Sequence, residues 1–472
     1  MEGLEVSIVN SNFIDKIQYR IDSEFYTKEH LEFEIYLKEQ GFSTLEQLGG
    51  KLDCSAFYPS ITEYYNFDRQ GIPFIRVNEI QNGLVQIVDS TAFLPDFVLT
   101  QNSNTIARAY PDDIIIIAKG GNTLAKVGIL TNEYPEYAIC RDVILVRTKK
   151  MVSNMRYAVW AFLHSKYGYK LMLRTASQTG QPHLTLPNIL KMMIPVWGED
   201  MICKLCELYN QSNLYKDQSK ALYDEAEKKM LEELELKEWK PTQKTVSIKN
   251  FSDFVTSSRL DAEYYQPKYD EIEAKIKSYK NGYVRIKDWF DVIGNPSPAQ
   301  YTTEGVYVIK TKNIRVPSVD FDNITDCTTG NCLKIQKRDL LFASMGVGSL
   351  GRLSYIDKCV DNYTIDGTIK VFRPKNGNNM EIPTLLFLTS LYGKELIYRY
   401  VIGSTGIISI SKENIENLII PNFDHNVAAD LSEKILESQR LKVESRRLLD
   451  LAKIAVERAI EKDEMEAMKL LN

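Results

Sequence analysis

The stretch LLFASMGVGSLGRL at 340–353 sets Gly346, Gly348 and Gly351 in G-x-G-x-x-G order, directly after an apolar run that reads as a strand. In a dinucleotide-binding unit such glycines let the backbone approach a pyrophosphate at the N-terminus of the helix that follows. The continuation here, RLSYIDKCVDNYTIDGTIKVF, is β-branched, aromatic and interrupted by Asp-Gly, which is the pattern of further strands and turns. A nucleotide-binding enzyme using Gly346 to Gly351 therefore stands only as an alternative. Cys203 and Cys206 form a C-x-x-C with no second pair to complete a zinc site, and they read as buried or incidental thiols. His30, His164, His183 and His425 lie far apart in sequence, and no metal site is expected.

Composition narrows the classes further. With 472 residues, 44% apolar and 26% charged, the chain is long enough for two or three domains with real cores. It holds no apolar run of membrane-spanning length, and MEGLEVSIVNSNF lacks the basic-then-apolar order of a secretion signal, so a cytoplasmic location is expected. Seven scattered cysteines fit a reducing compartment. A net charge of −5 argues against coating nucleic acid by bulk electrostatics, yet it leaves room for a local basic groove.

Whatever site exists must be positioned by a chain written twice. RIDSEFY at 20–26 returns as RLDAEYY at 259–265, 239 positions on. GIPFIRVNEI at 71–80 returns 234 positions on as GVYVIKTKNI at 305–314, and DDIIIIAKGGNTLAKV at 112–127 returns 226 on as RDLLFASMGVGSLGRL. From there the offset holds, with Tyr137 answering to Tyr363, Thr179 to Thr405 and Pro195 to Pro421. The glycine pattern is thus one version of a duplicated turn, because Met345-Gly346-Val347-Gly348 corresponds to Lys119-Gly120-Gly121-Asn122. Glycine at such a place signals positive φ or a close backbone approach.

Both copies share an order of elements. A helical start, SEFYTKEHLEFEIYLKEQG or AEYYQPKYDEIEAKIKSYKNG, precedes short β-type runs: PFIRV, DIIIIA and VILVRT in the first copy, YVIKT, DLLFAS and IKVFR in the second. A second helical piece follows, YAVWAFLHSKYGYKLMLRT or PTLLFLTSLYGKELIYRYV. A long helix closes each copy, over 202–239 and 426–470. Leu205, Leu208, Ser212, Tyr215, Ser219, Leu222 and Ala226 step by three and four, the spacing of a coiled-coil seam. At the 226 offset stand Leu431, Lys434, Ser438, Leu441, Ser445, Leu448 and Ala452, of which five match in type. A helix of about 38 residues is about 57 Å long, more than a small domain is wide.

The predicted fold is α+β and duplicated: two mixed α/β domains, each followed by a long helix, with the helices forming an antiparallel coiled-coil pair of pseudo-two-fold symmetry. Expected boundaries are 1–198 for the first domain, 199–240 for its helix, 241–421 for the linker and second domain, and 422–472 for the second helix. The block WKPTQKTVSIK at 239–249 reads as the linker, with Pro241 ending the first helix.

In RLDAEYYQPKY, the strand leading into a glycine turn, TASQTGQPHLTLPNILKMMIPV and the following long helix, the chain resembles the specificity subunit of type I restriction-modification systems. GSTGIISISKENIENLIIPNF in the second copy looks like the same element, although Ile407 and Ile408 replace Gln181 and Pro182. The resemblance covers nearly the whole chain. It implies a non-catalytic DNA reader with two target-recognition domains, each reading one part of a bipartite site. The helices would be spacer and dock for methyltransferase subunits, expected to number two, which supply S-adenosylmethionine, while a separate restriction and translocase subunit brings ATP. No cofactor is expected in this chain itself. A recognition subunit of another defence or modification assembly is the closest alternative.

Base edges are read by Arg, Lys, Asn and Gln, and phosphates are held by Lys, Arg, hydroxyls and backbone N–H groups. The loops at the glycine turns offer Lys119, Asn122, Thr123 and Lys126, with Arg76 and Asn78 nearby in sequence pattern, and Gln178 in the SQTGQ stretch. The second copy offers Ser344, Ser349 and Arg352, then Lys310, Lys312 and Asn313. Because these tips differ between copies while the helical seam does not, an asymmetric site is expected. Neither a Walker loop nor an Asn-Pro-Pro-aromatic motif is present; Asn295-Pro296-Ser297-Pro298 only approaches the latter.

Overall fold

The computed structural model describes residues 6–471 apart from 12–13, 15–19, 89, 153, 178–179, 245, 258, 296–299, 331, 376 and 404–406. The chain folds as two compact units, Met1–Tyr215 with Glu444–Asn472, and Lys216–Val443. Each unit carries an α/β head and a portion of both long helices.

In the first head, Ile114–Ile117 lies inside a sheet ordered Lys51–Asp53, Val143–Arg147, Ile114–Ile117, Val127–Ile129, Gly83–Val85, Ile80–Gln81. Four consecutive isoleucines show no polar alternation because both faces of the strand are covered. Ile114 and Ile116 pack with Trp160, Phe162 and Tyr209 on the helical side. Ile115 and Ile117 pack with Phe74 and Tyr137 on the other. That second cover is a sheet ordered Ala92–Leu94, Ile72–Ile75, Tyr137–Ile139, Arg108–Ala109, whose two middle strands run parallel.

The second head repeats these pairings. Phe290–Gly294, Ile369–Pro374, Leu340–Ala343 and Leu353–Tyr355 form one sheet, and Tyr301–Thr302, Cys327–Thr328, Val306–Ile309 and Tyr363–Ile365 the other. Val143 faces Ile117 and Val146 faces Ile114 in the first head; Ile369 faces Ala343 and Phe372 faces Leu340 in the second. Each of these residues stands 226 positions from its counterpart, so the register itself is repeated. The parallel pairs match too, Ile139 with Ile75 and Ile365 with Ile309. In each head the first and last strands close on each other, Phe42 with Pro195 and Tyr283 with Pro421.

The helical cover departs from the single helix read in each copy. It is two helices, Met155–His164 and Lys166–Arg174 in the first head, Glu381–Thr389 and Leu391–Arg399 in the second. Ser165 and Ser390 make the break, each donating its hydroxyl to a carbonyl behind it (Phe162 and Phe387, both 2.6 Å) and accepting the N–H of a glycine ahead (Gly168 and Gly393). These serines stand 225 positions apart, so the 226 register slips by one between its anchors. A Cβ on either glycine would lie 2.1 Å from the same carbonyl oxygen. Gly393→Ala and Gly168→Ala are each expected to cost about 2 kcal/mol, the scale of an overpacked core. Gly180→Ala, where a Cβ meets nothing within 4 Å, should be neutral; urea denaturation of the full chain compares them.

The repeated Arg-x-Asp and Tyr act as a clamp. Arg20 pairs with Asp22 and donates to the Ala176 carbonyl at 2.8 Å, while the Tyr26 hydroxyl donates back to the Arg20 carbonyl at 2.8 Å. Arg259, Asp261, Val401 and Tyr265 repeat the arrangement. RIDSEFY and RLDAEYY thus tie the start of each head to the end of its helical cover.

The long helices run Glu199–Glu233 and His425–Glu461. The first stops before Pro241. Glu235 takes φ +53°, with Leu236 N–H on the Leu231 carbonyl and Glu235 N–H on that of Glu232, a left-handed cap that satisfies the last carbonyls without glycine. The second helix also ends earlier than expected, and Glu464–Leu471 is a separate helix whose Glu464 carboxylate caps the Gly198 N–H at 2.9 Å. In the first unit, Ser212 donates to the Ser445 carbonyl at 2.8 Å, with the hydroxyls 2.9 Å apart. In the second, Ser219 and Ser438 donate to each other's carbonyls at 2.7 and 2.6 Å.

Of the seam residues, Leu205, Ser212, Ser219, Ala226, Leu431, Ser438, Leu441, Ser445, Leu448 and Ala452 are buried, and Leu208, Tyr215 and Leu222 are half-buried. Leu205 and Ala452 join the core of the first unit, Ala226 and Leu431 that of the second. No helix among the described residues is long and apolar enough to cross a membrane.

Candidate nucleic-acid interface

Three loops leave the same end of each head. In the first they follow Ile72–Ile75, Ile114–Ile117 and Tyr137–Ile139. The Cys140 N–H donates to the Ile75 carbonyl at 2.9 Å, and the Asp142 carbonyl accepts the N–H groups of Ala118 and Lys119 at 2.9 and 3.0 Å, so the loops are laced at their bases. Leu184 N–H on the Ala118 carbonyl, 3.0 Å, ties in the segment after the SQTGQ stretch. The second head uses the equivalent bonds, Asp366 N–H to Ile309, Ser344 N–H to Thr368 and Ile410 N–H to Ser344.

The glycine turn joins two antiparallel strands in both heads. Ile117–Lys126 and Ala343–Arg352 make the same N–H to carbonyl bond at 2.9 Å, and Ala125 and Gly351 occupy the same left-handed position, φ +63° and +86°. No helix follows the turn at Gly346 to Gly351: the chain enters the strand Leu353–Tyr355. The glycines serve backbone geometry, with Gly346 at φ +109° and Gly348 at +76°, and the helix N-terminus that a dinucleotide site requires is absent.

The candidate side chains sort into two kinds. Lys119, Asn122 and Lys126 are exposed on the first turn, and among the described residues no carboxylate pairs with either lysine. Thr123 donates its hydroxyl to the Gly120 carbonyl, 2.7 Å, and so holds the turn. Asn78 is exposed, whereas Arg76 bonds Glu79 and the Ser90 carbonyl, its guanidinium 5.8 Å from the Tyr65 ring. Gln178 lies outside the described residues.

In the second head, Lys310 pairs with Asp326 at 3.1 Å and lies 3.9 Å from the Tyr301 ring centroid; Lys312 is exposed, 3.9 Å from the same carboxylate. Asn313 and Ser344 face inward. Asn313 is 1% exposed and donates to the Asp320 and Asn323 carbonyls, while Ser344 is 4% exposed and donates to Thr368. Ser349 donates to Met345 at 3.1 Å, and Arg352 is half-buried beside it.

Two clefts open on the heads. One of about 520 Å³ in the first head is lined by Phe57, Tyr58, Tyr65, Arg76, Asn78 and Arg141 among others. Burial raises the Tyr58 phenol to about 12, partly offset by a backbone hydrogen bond from Arg141, and raises the Cys140 thiol below it to about 11. Both stay neutral at physiological pH, which leaves Arg76, Arg141 and Asp142 as the charged residues of this wall. The second head has a cleft of about 530 Å³ lined by Lys287, Lys375 and Lys412 with Asp291 and Glu416. Those acids partly neutralise it, Lys375 lying 3.6 Å from Asp291 and Lys412 3.5 Å from Glu416. Phe57, Arg141 and this lysine group escaped the sequence reading, which followed the glycine turns.

Residues 280–422, which run from just before Tyr283–Arg285 to just after Ile419–Pro421, match the family model described as the type I restriction modification DNA specificity domain. The match spans the second head. Its limits are the strand pair that closes the head. Similar solved structures include the S subunit of a type I restriction-modification system from M. genitalium, at 12% identity over 89% of this chain and 95% of that one, TM-score 0.39. A second is the HsdS subunit from Thermoanaerobacter tengcongensis, at 12% identity over 88% of this chain and 97% of that one, TM-score 0.27. A third, from work on complex assembly and conformational transition of the type I R-M system, has 11% identity over 88% of this chain and 98% of that one, TM-score 0.29. No curated protein matches the chain significantly.

Proposed function

We propose that this chain is a non-catalytic DNA-recognition subunit of a type I restriction-modification complex, and that both heads read DNA. The observation that carries this reading is the repetition of the specificity domain's strand pairings and register in the first head. Two duplicated heads with unlike tips read two unlike half-sites, so the target is bipartite and asymmetric. Serine contacts seven residues apart support one antiparallel pairing of the long helices, which sets the spacing of the half-sites and offers docking faces for two methyltransferase subunits. Those partners supply S-adenosylmethionine chemistry, and the restriction subunits supply ATP-driven translocation.

The test is co-expression with methyltransferase subunits of this class, followed by methylation-sensitive sequencing of host DNA with and without the chain. A stable complex that modifies one bipartite, asymmetric sequence is expected. A chain that neither joins the complex nor changes the modified motif would overturn the proposal and favour another assembly.

A further inference from the structure

The first head contains eight arginines between Arg20 and Arg174, and six have a carboxylate partner: Arg20, Arg76, Arg108, Arg147, Arg156 and Arg174. Arg69 and Arg141 have none among the described residues. Of these two, Arg141 lines the cleft. Its backbone is fixed on both sides, by the Cys140 N–H on Ile75 and by the Asp142 carbonyl that accepts from Ala118 and Lys119. Its guanidinium carbon lies 5.9 Å from the ring centroid of Phe57, itself 78% exposed, with Asn78 also lining the cleft.

We infer that Arg141 is a specificity-determining residue of the first head and reads a guanine in its half-site. This rests on the DNA-recognition reading above. An arginine packed on an aromatic face keeps its planar fork of donors free, and that fork matches the paired O6 and N7 acceptors on the major-groove edge of guanine. An unpaired guanidinium also gives up no ion pair on binding, unlike Arg76 beside Glu79. The second head has Gly367 at the equivalent position, between Asp366 and Thr368, so the determinant belongs to one head. It makes the two half-sites chemically unlike at that base.

The experiment uses the full chain in complex with its methyltransferase partner. The modified motif is mapped for the unaltered chain, Arg141→Ala, Arg141→Lys and Phe57→Ala, and binding is measured to duplexes carrying 7-deazaguanine, which lacks N7. Arg141→Ala should relax one guanine position in one half-site by about ten- to a hundredfold, the range of a bidentate base contact. Arg141→Lys should not restore it, Phe57→Ala should relax the same position less, and 7-deazaguanine there should weaken the unaltered complex alone. The other half-site stays unchanged and reports that the protein is folded. An unaltered motif in Arg141→Ala, or full rescue by lysine as for a phosphate contact, overturns the inference while leaving the proposed function standing. An unaltered chain that yields no bipartite motif removes both.

Discussion

Ser219→Leu is expected to lower the unfolding free energy by about 3 kcal/mol or more, and Ser219→Ala by only about 1 kcal/mol. Ser219 and Ser438 are both buried where the two long helices meet in the second unit, and each hydroxyl donates to the other's backbone carbonyl. Alanine loses one neutral hydrogen bond but keeps the close approach, because Ser438 still donates to the Ser219 carbonyl. Leucine forces a larger side chain into a contact sized for serine, and helix spacing depends on the side chains at the contact. Partly exposed pairs alongside, Lys434 with Glu225 at 2.7 Å and Lys229 with Asp430 at 2.8 Å, add little. Ser212→Leu should act equally in the first unit, where Ser212 meets Ser445. Chemical denaturation of the full chain reads both. Equal costs for Ala and Leu would mean that the serines do not set the helix separation.

The sequence makes the frame legible where physics acts on many residues at once. Repeated apolar runs separated by fixed offsets correspond to strands in identical register, because a shift of one residue would turn every side chain to the opposite face. What it hides depends on single residues in their surroundings. Ile114–Ile117 reads correctly as a strand, but it gives no alternation to assign its two faces, since both are buried. The end of the first long helix carries no glycine signal, because Glu235 accepts the left-handed position in its place. Ser165 and Ser390 resemble ordinary helix residues until the glycine three positions on is seen to allow a backbone contact that no Cβ permits. At the tips, residue type alone does not separate a polar side chain that presents outward from one that builds the turn. Asn313, Ser344 and Thr123 build, whereas Lys119, Asn122 and Lys126 present. Arg141 sits in a connection between two strands without any motif, and what sets it apart is structural: among the described residues no carboxylate pairs with its guanidinium.

That last distinction decides the expected outcome for Lys119 and Lys126. Each phosphate neutralised releases counterions and contributes about 0.9 to the slope of log affinity against log salt. Both lysines are exposed on a hairpin whose base is laced to its neighbours, and among the described residues neither has an acid to leave on binding. Lys119→Ala with Lys126→Ala should therefore weaken binding at the first half-site and flatten the salt slope by up to about 1.8, with the base preference of the half-site unchanged. Lys310→Ala should do less, because Lys310 must share its charge with Asp326 at 3.1 Å whether or not DNA is bound. Titrating duplex DNA at several salt concentrations separates the two variants. A salt slope unaltered by the double substitution would take the hairpin off the phosphate backbone, since removing two unpaired cations from a true contact must show in counterion release even if the fold adjusts around them.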